Sequence, residues 1–191
     1  DAAAALFGGG KVSGVRHERI YVTGRSHSVP CRLYLPAQRD NKAVMLVYFH
    51  FGGGVVGSLE TCHRLCGLIA RASEGPVLSV EYRLAPEFPF PAGFEDCLAA
   101  YNWARDNAAR FGAVVGQAAV GGDSMGGCFA AAMAVETRAL HAPKLQLLIC
   151  PLLDYQDESS SMQEFADAFP LTSSAAEFFG RHYLPAGVDT T

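Results

Sequence analysis

The feature that most restricts what this chain can fold into is Gly122-Asp123-Ser124-Met125-Gly126, set between two runs of opposite character. Ahead of it lies the small apolar stretch Ala118-Ala119-Val120, which suits a strand. Behind it lies Gly127-Cys128-Phe129-Ala130-Ala131-Ala132-Met133-Ala134, which suits a helix. A glycine two places either side of a serine, at a strand-to-helix junction, is the pattern of a nucleophile elbow. The turn is so tight that only hydrogen fits at the flanking positions, and the serine is forced into an exposed, strained conformation. Its hydroxyl then stands at a helix N-terminus, where the dipole favours developing negative charge. In a chain with 20 glycines the five-residue pattern is weak by itself. Its setting gives it meaning.

A second glycine cluster lies upstream, at His50-Phe51-Gly52-Gly53-Gly54. It follows Ala43-Val44-Met45-Leu46-Val47-Tyr48-Phe49, an unbroken apolar run that reads as a buried parallel strand. Glycines after such a strand leave backbone N–H groups uncovered, so an anionic oxygen can approach them, as an oxyanion hole requires. The alternatives are a glycine-rich loop without a ligand, or a phosphate cradle. A phosphate loop would continue with Lys-Ser or Lys-Thr, and none follows here. Glycine loop first and elbow second point to acyl-transfer chemistry.

With these motifs the chain resembles the bacterial hormone-sensitive-lipase-like carboxylesterases of the α/β-hydrolase fold, from about Val15 onward. The passages carrying the resemblance are Tyr48 to Leu59, Ser79-Val80-Glu81-Tyr82-Arg83-Leu84-Ala85-Pro86-Glu87 with Phe88 to Ala92 after it, and Gly122 to Gly127. The resemblance implies Ser124 as nucleophile and an oxyanion hole formed by the amides of Gly52, Gly53 and Met125. It also implies His50 and Asp123 as supporting groups, His50 bracing the loop rather than acting as base, and a small-molecule ester as substrate. Two motifs depart from the family. Phe51 takes the place of the first loop glycine and Gly54 that of the aromatic after the glycines; Met125 stands where the family has alanine. Phenylalanine at positive φ is costly, so the loop's backbone at Phe51 becomes a question for the structure. The bulk of Met125 is expected to narrow the acyl side of the site.

Serine triads on this fold run in the order Ser, acid, His, and only 67 residues (191 − 124) follow Ser124. The expectation is a single incomplete α/β-hydrolase domain over 1–191, with about 155–184 belonging to the cap and the last two strands missing. The segments bearing the triad acid and histidine would then be absent, leaving Ser124 without a base and activity impaired. The start, Asp1 to Gly10, is expected to be a tag remnant or what is left of a lost helix. Asp154 and His182 satisfy the required order and are the alternative acid and base, although the resemblance puts Asp154 in a structural turn and His182 in the cap. His17, His27 and His63 are expected to have surface roles.

The strand Leu145–Cys150 would be an apolar sheet edge, so a second chain or a homodimer covering it is expected. A net charge of −4 without a basic cluster argues against nucleic acid or an anionic membrane as partner. No apolar run approaches the roughly 20 residues of a membrane span, and the start lacks the basic residues of a signal peptide. Six scattered cysteines read as buried free thiols in a reducing, cytoplasmic compartment, and no metal or cofactor is expected. Strands over Val15–Val22, Cys31–Leu35, Ala43–Phe49, Pro76–Tyr82, Gln117–Gly121 and Leu145–Cys150 alternate with helices near Thr61–Ser73, Phe94–Phe111, Met125–Leu140 and Ser159–Leu184. That alternation predicts an α/β architecture, a mostly parallel sheet flanked by helices. The alternative to an esterase is a non-catalytic small-molecule binder on the same fold.

Overall fold

In a computed structural model that describes residues 9–154, 159–185 and 187, six strands form one sheet. They are β1 (Val15–Thr23), β2 (Ser28–Pro36), β3 (Met45–Phe49), β4 (Val77–Val80), β5 (Ala118–Asp123) and β6 (Gln146–Ile149), in the spatial order β1-β2-β4-β3-β5-β6. The hairpin β1–β2 and the β2–β4 pair are antiparallel, while β4, β3, β5 and β6 run parallel. The helices are α1 (His63–Ser73), α2 (Ala92–Asn107), α3 (Met125–Thr137), α4 (Ser160–Glu164) and α5 (Ser173–Tyr183), with a 3-10 turn over Ala108–Phe111. The starting stretch Asp1 to Gly10 falls mostly, and the cap stretch at 155–158 wholly, outside the described residues.

Although the central strands are apolar throughout, their side chains still divide by period two. Met45, Val47, Phe49, Leu78, Val80, Ala118 and Val120 enter the larger core with α2 and α3, which contribute Cys97, Ala100, Tyr101, Phe129 and Met133. Leu46, Tyr48, Val77 and Ala119 enter a smaller core under α1, with Cys62, Cys66 and Ala70. Both faces are therefore covered, which is why β3 and β4 read as continuous hydrophobic runs.

Two histidines expected at the surface do more than face solvent. His27 Nε2 lies 3.1 Å from Oδ1 of buried Asp96, whose carboxylate also takes the fork of Arg83 at 2.9 Å through Nε and 2.9 Å through Nη2. His63 Nδ1 accepts from the Tyr34 hydroxyl at 2.9 Å and faces Arg32 Nη1 at 3.1 Å. The thiols of Cys31, Cys62, Cys66 and Cys97 are buried as expected; Cys128 is half-buried and Cys150 exposed. The stretch Ser159–Leu184 is not one helix. It breaks between α4 and α5, where Pro170 cannot donate to a helix ladder.

Among the described residues β6 is an outer strand, pairing on one side with β5. Leu145 is 55% and Leu148 36% exposed along it, and Leu140 nearby is 82% exposed. Unpaired backbone groups beside apolar side chains template association. Light scattering at rising protein concentration is expected to give a mass that climbs above the 20.3 kDa of one chain. A constant monomer mass would overturn this.

Candidate active site

Strand register places the two motifs side by side. In the parallel β3–β5 pair Phe49 lies opposite Gly122, so the chain leaves both strands at the same level. The loop beginning at His50 and the turn at Asp123–Met125 therefore emerge together at the carboxyl edge of the sheet, where open α/β sheets bind ligands. Ser124 has φ 53° and ψ −117°, and is one of three described non-glycine residues at positive φ. Conformations of this kind cost about 1–3 kcal/mol and persist only where the surroundings impose them. Here the Ser124 N–H donates to Ile149 O at 2.9 Å, while its carbonyl accepts from Cys128 N–H at 3.0 Å and Leu152 N–H at 3.3 Å. The flanking glycines are steric necessities: a Cβ on Gly122 would lie 2.3 Å from the Gly126 carbonyl carbon, and one on Gly126 would lie 2.0 Å from Phe49 O.

The loop after β3 turns on glycines. Gly52, Gly53, Gly54 and Gly57 all have positive φ, at 123°, 63°, 72° and 111°. The Gly52 carbonyl accepts from Val55 N–H at 3.0 Å and Val56 N–H at 2.9 Å, closing a turn so tight that a Cβ on Gly52 would sit 1.9 Å from Val56 O. Phe51 is not among the residues at positive φ, so its substitution for glycine costs no backbone strain. Its ring is half-buried beside the loop.

Polar groups fasten these pieces. The Tyr48 hydroxyl donates to Asp123 Oδ1 at 3.0 Å, and Phe51 N–H also donates to the Asp123 carboxylate. Burial raises the Asp123 pKa, and these hydrogen bonds pull against that rise. Asp123 thereby joins the elbow to the first residue after His50. His50 itself is fully buried, its Nδ1 2.7 Å from Phe51 O, and it stacks on Tyr82 with ring centroids 4.2 Å apart. The Tyr82 hydroxyl donates to His50 O at 2.7 Å. Desolvation pushes the His50 pKa down to about 4, so its ring is neutral at pH 7. Tyr48 and Tyr82 were not singled out from sequence; a tyrosine inside an apolar strand looks like core until its hydroxyl finds a partner.

The remaining candidates lie apart from this frame. Asp154 is exposed on the chain after β6. His182 is on α5, where its Nδ1 lies 2.7 Å from Phe178 O of its own helix and its ring packs on Phe178 at 4.1 Å. The nitrogen that a triad acid would orient is thus in use by the helix. Met125 begins α3, and its side chain is 1% exposed within the larger core, so its bulk fills the interior beneath the elbow. Among the described residues no group of three or more His, Cys, Asp or Glu is arranged to hold a metal ion, and no helix is long and apolar enough to cross a membrane.

The α/β-hydrolase fold family matches residues 46–191, both motifs included. The chain belongs to that family. Its relatives bear out the resemblance to carboxylesterases. A carboxylic ester hydrolase, LipN, of Mycobacterium tuberculosis is 38% identical over 172 residues, covering 86% of this chain and 46% of the relative. An ethyl acetate hydrolase of Pseudomonas putida is 37% identical over 172 residues, covering 87% of this chain and 54% of the relative. Among solved structures, an ester hydrolase from the Lake Arreo metagenome, complexed with a bipyridine phosphonate derivative, superposes with TM-score 0.90 at 34% identity. That superposition covers 99% of this chain and 61% of the other. A Pyrobaculum calidifontis esterase gives TM-score 0.85 at 36% identity, over 96% and 61% of the two chains. The chain thus spans about half the length of the curated relatives it matches.

Two outcomes follow from this geometry. Gly126→Ala forces α3 away from β3 and is expected to cost roughly 4 kcal/mol or more, lowering Tm by roughly 10 °C in calorimetry. The second concerns pH. Unfolded His50 titrates near 6.5 and folded His50 near 4, so between those values the unfolded state takes up the proton first. This residue alone is expected to remove roughly 3 kcal/mol of stability as pH falls from 6.5 to 4, and nothing further below that. Urea titrations of wild type and His50→Asn across that window measure it; the variant is expected to have the flatter profile.

Proposed function

We propose that Ser124 is the nucleophile of a serine carboxylesterase acting on short-chain esters of small molecules. The observation that carries this reading is the strained Ser124 at the start of α3, set by strand register beside a loop of positive-φ glycines. The Ser124 Oγ attacks the ester carbonyl carbon, and the carbonyl oxygen becomes an oxyanion. The amides of Gly52, Gly53 and Met125 donate to it, each donor contributing about 3–4 kcal/mol to the transition state. The alcohol leaves with a proton, an acyl-enzyme remains on Ser124, and water releases the acid. Asp123 and His50 hold the loop and elbow in place.

Both proton transfers need a base. His50 is a poor candidate, being fully buried with its pKa near 4 and its Nδ1 engaged by the loop backbone. The acid and base are proposed to come from polypeptide beyond these 191 residues, consistent with the half-length coverage of the relatives. In that reading 155–184 is part of a cap, and further polypeptide also covers β6. Asp154 and His182 are the alternative pair within the chain. The buried, neutral His50 favours one other reading, a small-molecule binder on the same fold without turnover.

Hydrolysis of p-nitrophenyl butyrate and labelling by an alkyl phosphonate, each beside Ser124→Ala, separate these readings. The expected result is turnover and phosphonate labelling of Ser124 that are both roughly 10⁴- to 10⁶-fold slower than with an intact triad, and both absent from the variant. Full turnover lost in His182→Ala would assign the base to α5. Absence of both labelling and turnover would sink the esterase reading for this chain.

A further inference from the structure

We propose that Phe179 and Tyr183 of α5 are positioning residues that clamp the glycine loop carrying the oxyanion donors. The proposal rests on the reading of Gly52 and Gly53 as those donors. Residues four apart share a helix face, and this pair rests on consecutive glycines. A Cβ on Gly53 would lie 2.5 Å from Phe179 Cγ, and one on Gly54 would lie 2.5 Å from Tyr183 Cδ2. The rings therefore press directly on the glycine α-carbons, and no side chain larger than hydrogen fits between them.

This contact anchors α5. Of the helix's residues only Tyr183 is buried, at 4% exposure. Its carbonyl accepts from Phe90 N–H at 2.9 Å, and the Gly54 carbonyl accepts from Ala85 N–H at 2.8 Å, so helix end and loop are tied to the same 85–90 segment. The Tyr183 ring also meets Phe90 at 5.9 Å and Phe129 of α3 at 6.1 Å. Phe129 in turn packs on Tyr82, the partner of His50, at 5.1 Å. One aromatic cluster thus joins α5, the elbow helix and the base of the loop.

Physical need explains the clamp. Glycine crosses between positive and negative φ at little cost, so a loop with four positive-φ glycines has many alternatives to the arrangement that converges its amides. Hydrogen bonds from Val55 and Val56 fix the turn at Gly52. Gly53 is held by the Phe179 ring above it, and Gly54 by the Tyr183 ring together with the hydrogen bond from Ala85 N–H. Removing a ring gives these two residues room to rotate, and the donors lose their common aim.

Amide hydrogen exchange over Gly52–Gly57 tests this without turnover. Phe179→Ala and Tyr183→Leu are compared with wild type and with Phe178→Ala, a substitution at a 44% exposed position of the same helix. The expected result is exchange roughly tenfold faster in the loop for Phe179→Ala and Tyr183→Leu, with β3 and α3 unchanged and Phe178→Ala like wild type. Phosphonate labelling of Ser124 is expected to slow in the same two variants. Unchanged loop exchange in Phe179→Ala would overturn the clamp, whatever Tyr183→Leu does to overall stability. If wild-type Ser124 takes no phosphonate, the esterase reading fails while the exchange result still decides the clamp.

Discussion

The contact on which the site depends is backbone against backbone: the first turn of α3 lies against the carbonyl of Phe49, with Gly126 at the point of closest approach. That approach holds the elbow down between β3 and β5 and leaves Ser124 no relaxed conformation. Gly126, in the first turn of α3, permits this approach because it carries no Cβ. The sheet register does the rest, since Phe49 opposite Gly122 brings the loop after β3 and the turn after β5 to one level. Serine geometry, loop position and helix dipole are consequences of that single close packing.

Buried polar groups then tie the pieces together. Asp123 is the residue next to the serine, yet its carboxylate accepts from Tyr48 on β3 and from the backbone of Phe51. His50, although it opens the glycine loop, spends its ring on Phe51 O and on stacking with Tyr82. A histidine in the loop beside a strained serine invites assignment as a base. Its burial argues otherwise, because protonating it there is disfavoured by roughly 3 kcal/mol. Asp123 and His50 thus tie the loop and the elbow to each other and to the strands beneath.

Much of the architecture was legible because period and composition act locally. The runs Ala43–Phe49 and Pro76–Tyr82 read as buried strands, and the structure pairs them in parallel over Leu46–Phe49 and Val77–Val80. The helix expected over Phe94–Phe111 ends as an α-helix at Asn107 and tightens into a 3-10 turn to Phe111. The stretch Ser159–Leu184 misled, since a helical composition does not reveal that the helix is interrupted around Phe169-Pro170. His27 misled for another reason: a histidine in a hairpin reads as solvated until the fold brings Asp96, sixty-nine positions away (96 − 27), to 3.1 Å.

The sequence by itself determined the elbow, the glycine loop and the family, because each is a short-range requirement of the backbone that only certain residues meet. Hydrogen at Gly122 and Gly126, and φ freedom at Gly52 to Gly54, are demands that any fold using those turns must satisfy. Tertiary structure alone decided that Phe51 sits at ordinary φ, that Asp123 serves the loop rather than the serine, and that α5 lays Phe179 and Tyr183 on the glycines. The last two depend on contacts between residues 72 (123 − 51) to 129 (183 − 54) positions apart. Such contacts follow from strand order and packing, which one-dimensional spacing does not encode.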